Sequence, residues 1–254
     1  MLGLRIMKSM WLIGGIILII VVLFAVFSDL RRLAAVGYLV VRVTPYEQTI
    51  PGSPTILVAG DSTGYGTGAS SGAKSVAGYV GDDFPEYSIE NMSVNGRTIG
   101  GLVQALESRD PNERYRLILL QIGGNDILRG RSEAEIETDL RALLALATER
   151  GEQVVMMSSG NVGAASAFVT DGKPDPVYEK RTRAAREIFL AVTEEFGVTY
   201  VDLFLEPVDD VFLKEPKKYL AFDGLHPSSF GYYYWYQSLQ PELERLEDGV
   251  CTML

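Results

Sequence analysis

The chain has 254 residues, 47% of them hydrophobic and 22% charged, with a formal net charge of −10. That composition suits one globular α/β domain with additional segments, and its acidity leaves no electrostatic footprint for nucleic acid. A single cysteine, Cys251, and a single histidine, His226, exclude an internal disulfide, a cysteine-based zinc cluster and a histidine-rich zinc site.

In chain order, a basic tail (1–9) precedes Met10–Phe27, an uncharged apolar run flanked by Arg5 and Lys8 and by Arg31 and Arg32. At ~1.5 Å per residue the run spans about 27 Å, close to a bilayer core, so one N-terminal transmembrane helix is expected. A cleaved signal peptide is the main alternative and a buried core helix a weaker one. The run is long for a signal, and Phe27 fits a cleavage position poorly. The basic residues nearly balance across it. Long domains translocate largely regardless of charge, so the main domain is expected outside the cytoplasm, or secreted if the signal is cleaved. Residues 28–53 read as a juxtamembrane segment and linker ending in Pro51-Gly52-Ser53-Pro54.

From 54 to 248 strand and helix alternate. Strand-like runs are Thr55–Ala59, Tyr87–Val94, Tyr115–Ile122, Val154–Ser158 and Thr199–Leu203. Helical patterns fall at Lys74–Val80, Leu102–Ser108, Glu133–Arg150, Tyr178–Phe196 and Ser229–Leu246. Such alternation predicts a parallel sheet with helices on both faces, a three-layer α/β/α domain. A short tail (249–254) follows. The aromatic cluster Tyr232–Tyr236 reads as core packing rather than a ligand platform.

Four polar punctuations stand out. Gly60-Asp61-Ser62-Thr63, Asn95-Gly96 and Gly123-Gly124-Asn125-Asp126 each follow a strand, and Asp223-Gly224-Leu225-His226-Pro227 precedes the last helix. Ser62 is the candidate nucleophile, with a helix N-cap as its alternative role. His226 is the candidate base, held by Asp223 three residues before it; Asp202, after the fifth strand, is the fallback acid. Gly96 and Asn125 are candidate oxyanion donors that could otherwise be ordinary turn residues. Asp126 is expected to cap or orient its loop. Asn161, after the fourth strand, is a candidate substrate-binding residue within the long segment Gly160–Pro176. The glycine-rich stretch Gly64–Gly72 fails both the dinucleotide and the phosphate-loop spacing and is expected to form one wall of a cleft.

These blocks resemble the SGNH, or GDSL-type, hydrolase family, with Ser62, Gly96, Asn125 and His226 at the four naming positions. The resemblance covers roughly Pro54–Leu239, and the first block reads Gly-Asp-Ser-Thr in place of Gly-Asp-Ser-Leu. It implies a flavodoxin-like order of five parallel strands. It also implies three oxyanion donors: the Ser62 and Gly96 backbone N–H groups and the Asn125 side-chain amide. The expected activity is a serine esterase using a Ser62–His226–Asp223 triad. Its substrate would be a short-acyl, O-acetyl or lysolipid ester of a small molecule, lipid or sugar, with no metal and no cofactor. An O-acyltransferase with the same triad is one alternative, and a silent membrane-bound binding module another.

Overall fold

The computed structural model describes Leu39, residues 42–251 and, for side chains, residues up to 245. The expected membrane helix, Met10–Phe27, lies outside the described residues. Among those described, no helix is long and apolar enough to cross a membrane.

The elements alternate as the sequence predicts. Strand β1 (Thr55–Gly60) leads into α1 (Ser62–Tyr65), a 3-10 turn (Gly72–Lys74) and α2 (Val76–Asp83). Then come β2 (Ser88–Asn91), α3 (Ile99–Glu107), β3 (Leu117–Gln121), α4 (Gly124–Arg129), α5 (Glu133–Arg150) and β4 (Val154–Met157). A second 3-10 turn (Val162–Ala164), α6 (Pro176–Glu195), β5 (Thr199–Val201), α7 (Val211–Lys214), α8 (Pro216–Tyr219) and α9 (Ser229–Cys251) complete the chain. All four strand pairings are parallel, in the order β2-β1-β3-β4-β5. This is the flavodoxin-like order.

Both faces of the sheet are covered, which is why its strands read as continuous apolar runs. On one face Leu57, Ala59, Ile118 and Leu120 pack with Leu102 and Leu106 of α3, Leu140 and Leu144 of α5, and Phe189 of α6. On the other, Ile56, Val58, Leu117 and Leu119 pack with Val76 and Val80 of α2 and with Tyr232, Trp235 and Leu239 of α9. Tyr232 and Trp235 are buried, as expected for core packing.

Several local readings change: α3 starts at Ile99 rather than Leu102, and the second strand narrows to Ser88–Asn91. Helix α2 starts at Val76 because the Ser75 hydroxyl accepts from the Gly78 N–H and caps it. Residues 44–50, read as part of a linker, are bonded to the domain: Gln48 pairs antiparallel with Ile89 of β2, and the Ile50 N–H donates to Ser88 Oγ (2.9 Å).

The strand order places a switch point between β1 and β3. From β1 the chain turns back one way to β2, whereas β3, β4 and β5 proceed the other way. A crevice opens at the carboxyl ends of strands at such a point. Ser62 follows β1 and Asn125 follows β3.

Candidate active site

The ladder between β1 and β3 runs one step past the strands: the Asp61 N–H donates to the Gln121 carbonyl (3.0 Å). The chain then turns into α1, with Asp61 as its N-cap and Ser62 as its first residue. Asp61 Oδ1 accepts from the N–H and the hydroxyl of Thr63, both at 2.8 Å. The capping role that the sequence allowed for Ser62 therefore falls to Asp61, and the serine hydroxyl is left for another partner.

That partner is His226. Its Nε2 lies 2.9 Å from Ser62 Oγ, and its Nδ1 lies 2.6 Å from Asp223 Oδ2. The other Asp223 oxygen accepts from the backbone N–H groups of Leu225 (3.0 Å) and His226 (3.1 Å). Burial pushes the Asp223 carboxyl up, but the imidazole and the two N–H donors outweigh it and hold the carboxyl below its usual range. An ionised carboxylate can only accept, so Nδ1 carries the proton and Nε2 is free to accept from Ser62. Asp202, the fallback acid, is engaged elsewhere: Arg186 Nε and Nη2 both donate to its Oδ2, at 2.7 and 2.6 Å.

Asn125 Nδ2 donates to Asp61 Oδ2 across 3.4 Å, a long bond that uses one of its two N–H groups. Gly96 sits at φ +78°, a left-handed conformation that glycine adopts without steric cost. Two bonds tie its loop to the serine turn: Thr67 Oγ1 donates to Asn95 Oδ1 (2.6 Å), and the Thr67 N–H donates to the Ser62 carbonyl (2.9 Å). The Gly96 carbonyl accepts from Arg129 Nη2 at 2.7 Å. The Ser62 N–H, at the first helical position, has no intrahelical acceptor.

Asp126 is fully buried and accepts from the Ile99 N–H (3.0 Å) and from Arg131 (3.1 Å), joining α4 to the start of α3. Asn161 caps the second 3-10 turn, where its Oδ1 accepts from the Gly163 N–H (3.1 Å). Its Nδ2 is buried with no partner among the described residues. Two segments flank the histidine loop. A methyl group at Gly68 would come within 2.9 Å of His226 Cβ, so Gly64–Gly72 lies directly against it. From the other side the Ala167 N–H donates to the Gly224 carbonyl (3.0 Å). Among the described residues no group of three His, Cys, Asp or Glu side chains could hold a metal ion.

The structure thus brings Ser62, His226 and Asp223 into one chain of hydrogen bonds and ties the Gly96 and Asn125 loops to the same turn. Asp61 and Arg129 were missed as site residues. Asp61 was legible as a cap-type residue before the helix, and Arg129 as the residue one turn beyond Asn125. A hydroxyl bonded to an oriented imidazole, with N–H donors on adjacent loops, is equipped for acyl transfer.

Residues 58–234 match the model of the GDSL-like lipase/acylhydrolase family. The chain is 26% identical over 178 residues to Esterase TesA of Pseudomonas aeruginosa, covering 68% of this chain and 80% of that protein. It is likewise 26% identical over 178 residues to Thioesterase 1/protease 1/lysophospholipase L1 of Escherichia coli K12, covering 68% and 76%. A crystal structure of TesA superposes with a TM-score of 0.60 at 22% identity, over 76% of this chain and 99% of that one. With the family model spanning well over half of its length, the chain belongs to the GDSL-like lipase/acylhydrolase family and is a carboxylic ester hydrolase.

Proposed function

We propose that the chain hydrolyses its ester through an acyl-enzyme on Ser62. The observation that carries this reading is the pair of bonds on His226, 2.9 Å to Ser62 Oγ and 2.6 Å to Asp223 Oδ2. His226 takes the Ser62 proton as the hydroxyl oxygen attacks the ester carbonyl, then delivers it to the leaving alcohol. Asp223 holds the imidazole in the required tautomer and stabilises its charged form. The N–H groups of Ser62 and Gly96 and the Asn125 amide receive the charge that develops on the carbonyl oxygen. Water, deprotonated by His226, then releases the acyl group. Asn161 Nδ2, a buried donor without a protein partner, is assigned to the substrate side of the site. The substrate is a short-acyl, O-acetyl or lysolipid ester. The apolar run Met10–Phe27 supports a membrane anchor with the hydrolase domain outside the cytoplasm.

Covalent labelling of the full chain by a fluorophosphonate tests the mechanism. Wild type should label, Ser62→Ala should not, and His226→Ala should label slower by roughly 100-fold or more. A folded wild-type chain that stays unlabelled, or a Ser62→Ala variant that still labels, would overturn the assignment.

A further inference from the structure

The Asn95-Gly96 block is a turn whose central peptide has two ways to face. The Arg97 N–H donates to the Val94 carbonyl at 3.1 Å and closes the turn. Gly96, its third residue, is at φ +78°, whereas Asn95 has no positive φ, so the turn is type II. Types I and II differ by turning over the peptide between the two central residues, and the closing bond survives that flip. The N–H of this peptide is the Gly96 N–H, the donor assigned above to the carbonyl oxygen. Its direction therefore needs an anchor on each side of the peptide.

On the far side, Arg129 Nη2 holds the Gly96 carbonyl at 2.7 Å. On the near side stands Thr67, which is fully buried and has every polar group bonded. Left-handed Gly66 (φ +87°) ends α1 and turns the chain back, so that the Thr67 N–H donates to the Ser62 carbonyl at 2.9 Å. The Thr67 hydroxyl donates to Asn95 Oδ1 at 2.6 Å. Its carbonyl accepts from the Tyr232 hydroxyl at 2.7 Å, on α9, the helix that follows His226. One buried residue thus joins the nucleophile turn, the Gly96 loop and the helix behind the base.

We propose that Thr67 is a positioning residue for the oxyanion hole: its hydroxyl, through Asn95, holds the Asn95-Gly96 peptide with its N–H towards the carbonyl oxygen. This role rests on the acyl-enzyme reading above and deepens it. Thr67 itself touches no reacting atom. Without its hydroxyl the peptide is anchored on one side only, and the Gly96 N–H spends part of its time turned away. The transition state then loses part of one donor, while substrate binding is kept.

The test uses the full chain and p-nitrophenyl acetate. Thr67→Val keeps the branched shape and removes the donor; kcat should fall about tenfold with KM near that of wild type. Thr67→Ser restores the hydroxyl and should recover most of the loss. Asn95→Ala, at a half-buried position, should match Thr67→Val, and Thr67→Val/Asn95→Ala should lose no more than either alone, because both remove the same bond. The pH at half-maximal kcat/KM, which reports the base, should stay at its wild-type value in all of them. Gly68, next in the chain, packs against His226 Cβ, so a Thr67 that acted only by packing on the histidine loop would move that midpoint. Wild-type kcat in Thr67→Val, no recovery in Thr67→Ser, additive losses or a shifted midpoint would overturn the role and leave the hydrolase reading standing. Should Thr67→Val not fold, Asn95→Ala decides: the same loss of kcat supports the role and wild-type kcat overturns it. A folded wild-type chain that neither hydrolyses p-nitrophenyl acetate nor reacts with a fluorophosphonate would overturn the acyl-enzyme reading, and the role with it.

Discussion

Asp61 and Asp223 are both buried beside His226, yet their carboxyls shift in opposite directions. Burial dominates at Asp61 and raises it, against the Thr63 donors, the His226 charge and the Asn125 amide. At Asp223 burial is outweighed by direct contact with the imidazole, and the carboxyl is lowered. The consequences for stability have opposite signs. Asp223 stabilises the fold above the ordinary carboxylate range, and that contribution is lost as pH falls through its depressed pKa. Asp61 binds its proton more tightly folded than unfolded, so its ionisation opposes folding at neutral pH, and the penalty fades as pH falls through its raised pKa. Asp61→Asn removes the charge but cannot serve both partners, because one oxygen accepts from Thr63 and the other from Asn125. The Asn125 amide then loses its orientation. The expected outcome is a kcat about tenfold lower at similar KM, the sign of a lost transition-state interaction. Near neutrality its melting temperature should match or exceed that of wild type, with the gap shifting towards wild type as the pH is lowered. A variant with unchanged kcat would show that Asp61 does not position Asn125.

At the scale of elements, α4 fixes the Asn125 loop, and a glycine fixes α4. Gly123 precedes the helix at φ +115°, and an added methyl group would come 2.8 Å from the Phe189 ring. Gly123→Ala combines left-handed strain with overpacking, so a loss of roughly 2–4 kcal/mol in urea unfolding is expected. Esterase activity should fall with it, because Asn125 is two residues on. On the far side of the helix start, Asp126 anchors α4 to α3; Asp126→Ala leaves the Ile99 N–H without an acceptor and should cost about 1–3 kcal/mol by the same measurement. Much of this level was legible in the sequence. The strands were found because a sheet covered on both faces demands unbroken apolar runs, as in Ile118–Leu120. Helix α5 was found from its apolar spacing, and its boundaries match because Ser132 and Glu135 form a capping box. Helices α7 and α8, of four residues each, are too short to show a period. The long-range bonds that join the site, such as Thr67 to Asn95 and Arg129 to Gly96, leave no trace in any local pattern.

At the scale of the whole molecule, the exposed edge of the sheet is the feature the linear pattern conceals. β2 is an edge strand, and an unprotected edge is a template for pairing with other chains. Here the chain ahead of β1 returns to cover it. Gln48 exchanges two backbone bonds with Ile89, at 3.0 and 2.8 Å, and its side-chain amide donates to the Tyr87 carbonyl at 2.8 Å. Tyr46 lies directly on Gly81 of α2, where a methyl group would meet its ring at 2.4 Å. Val43 is buried. A proline-glycine boundary drew the sequence reading to Pro54, because turn residues mark punctuation whether or not the chain before them is packed. The structural start of the folded region therefore lies ahead of Thr44. A chain beginning at Arg42 keeps all of this cover. One beginning at Pro54 loses the Gln48 bonds and the apolar cover of Val43 and Tyr46, and should melt at least about 4 °C lower. The bared β2 edge should also make its light scattering rise with concentration. Equal melting temperatures for the two truncations would show that residues 42–53 rest on the edge without stabilising it.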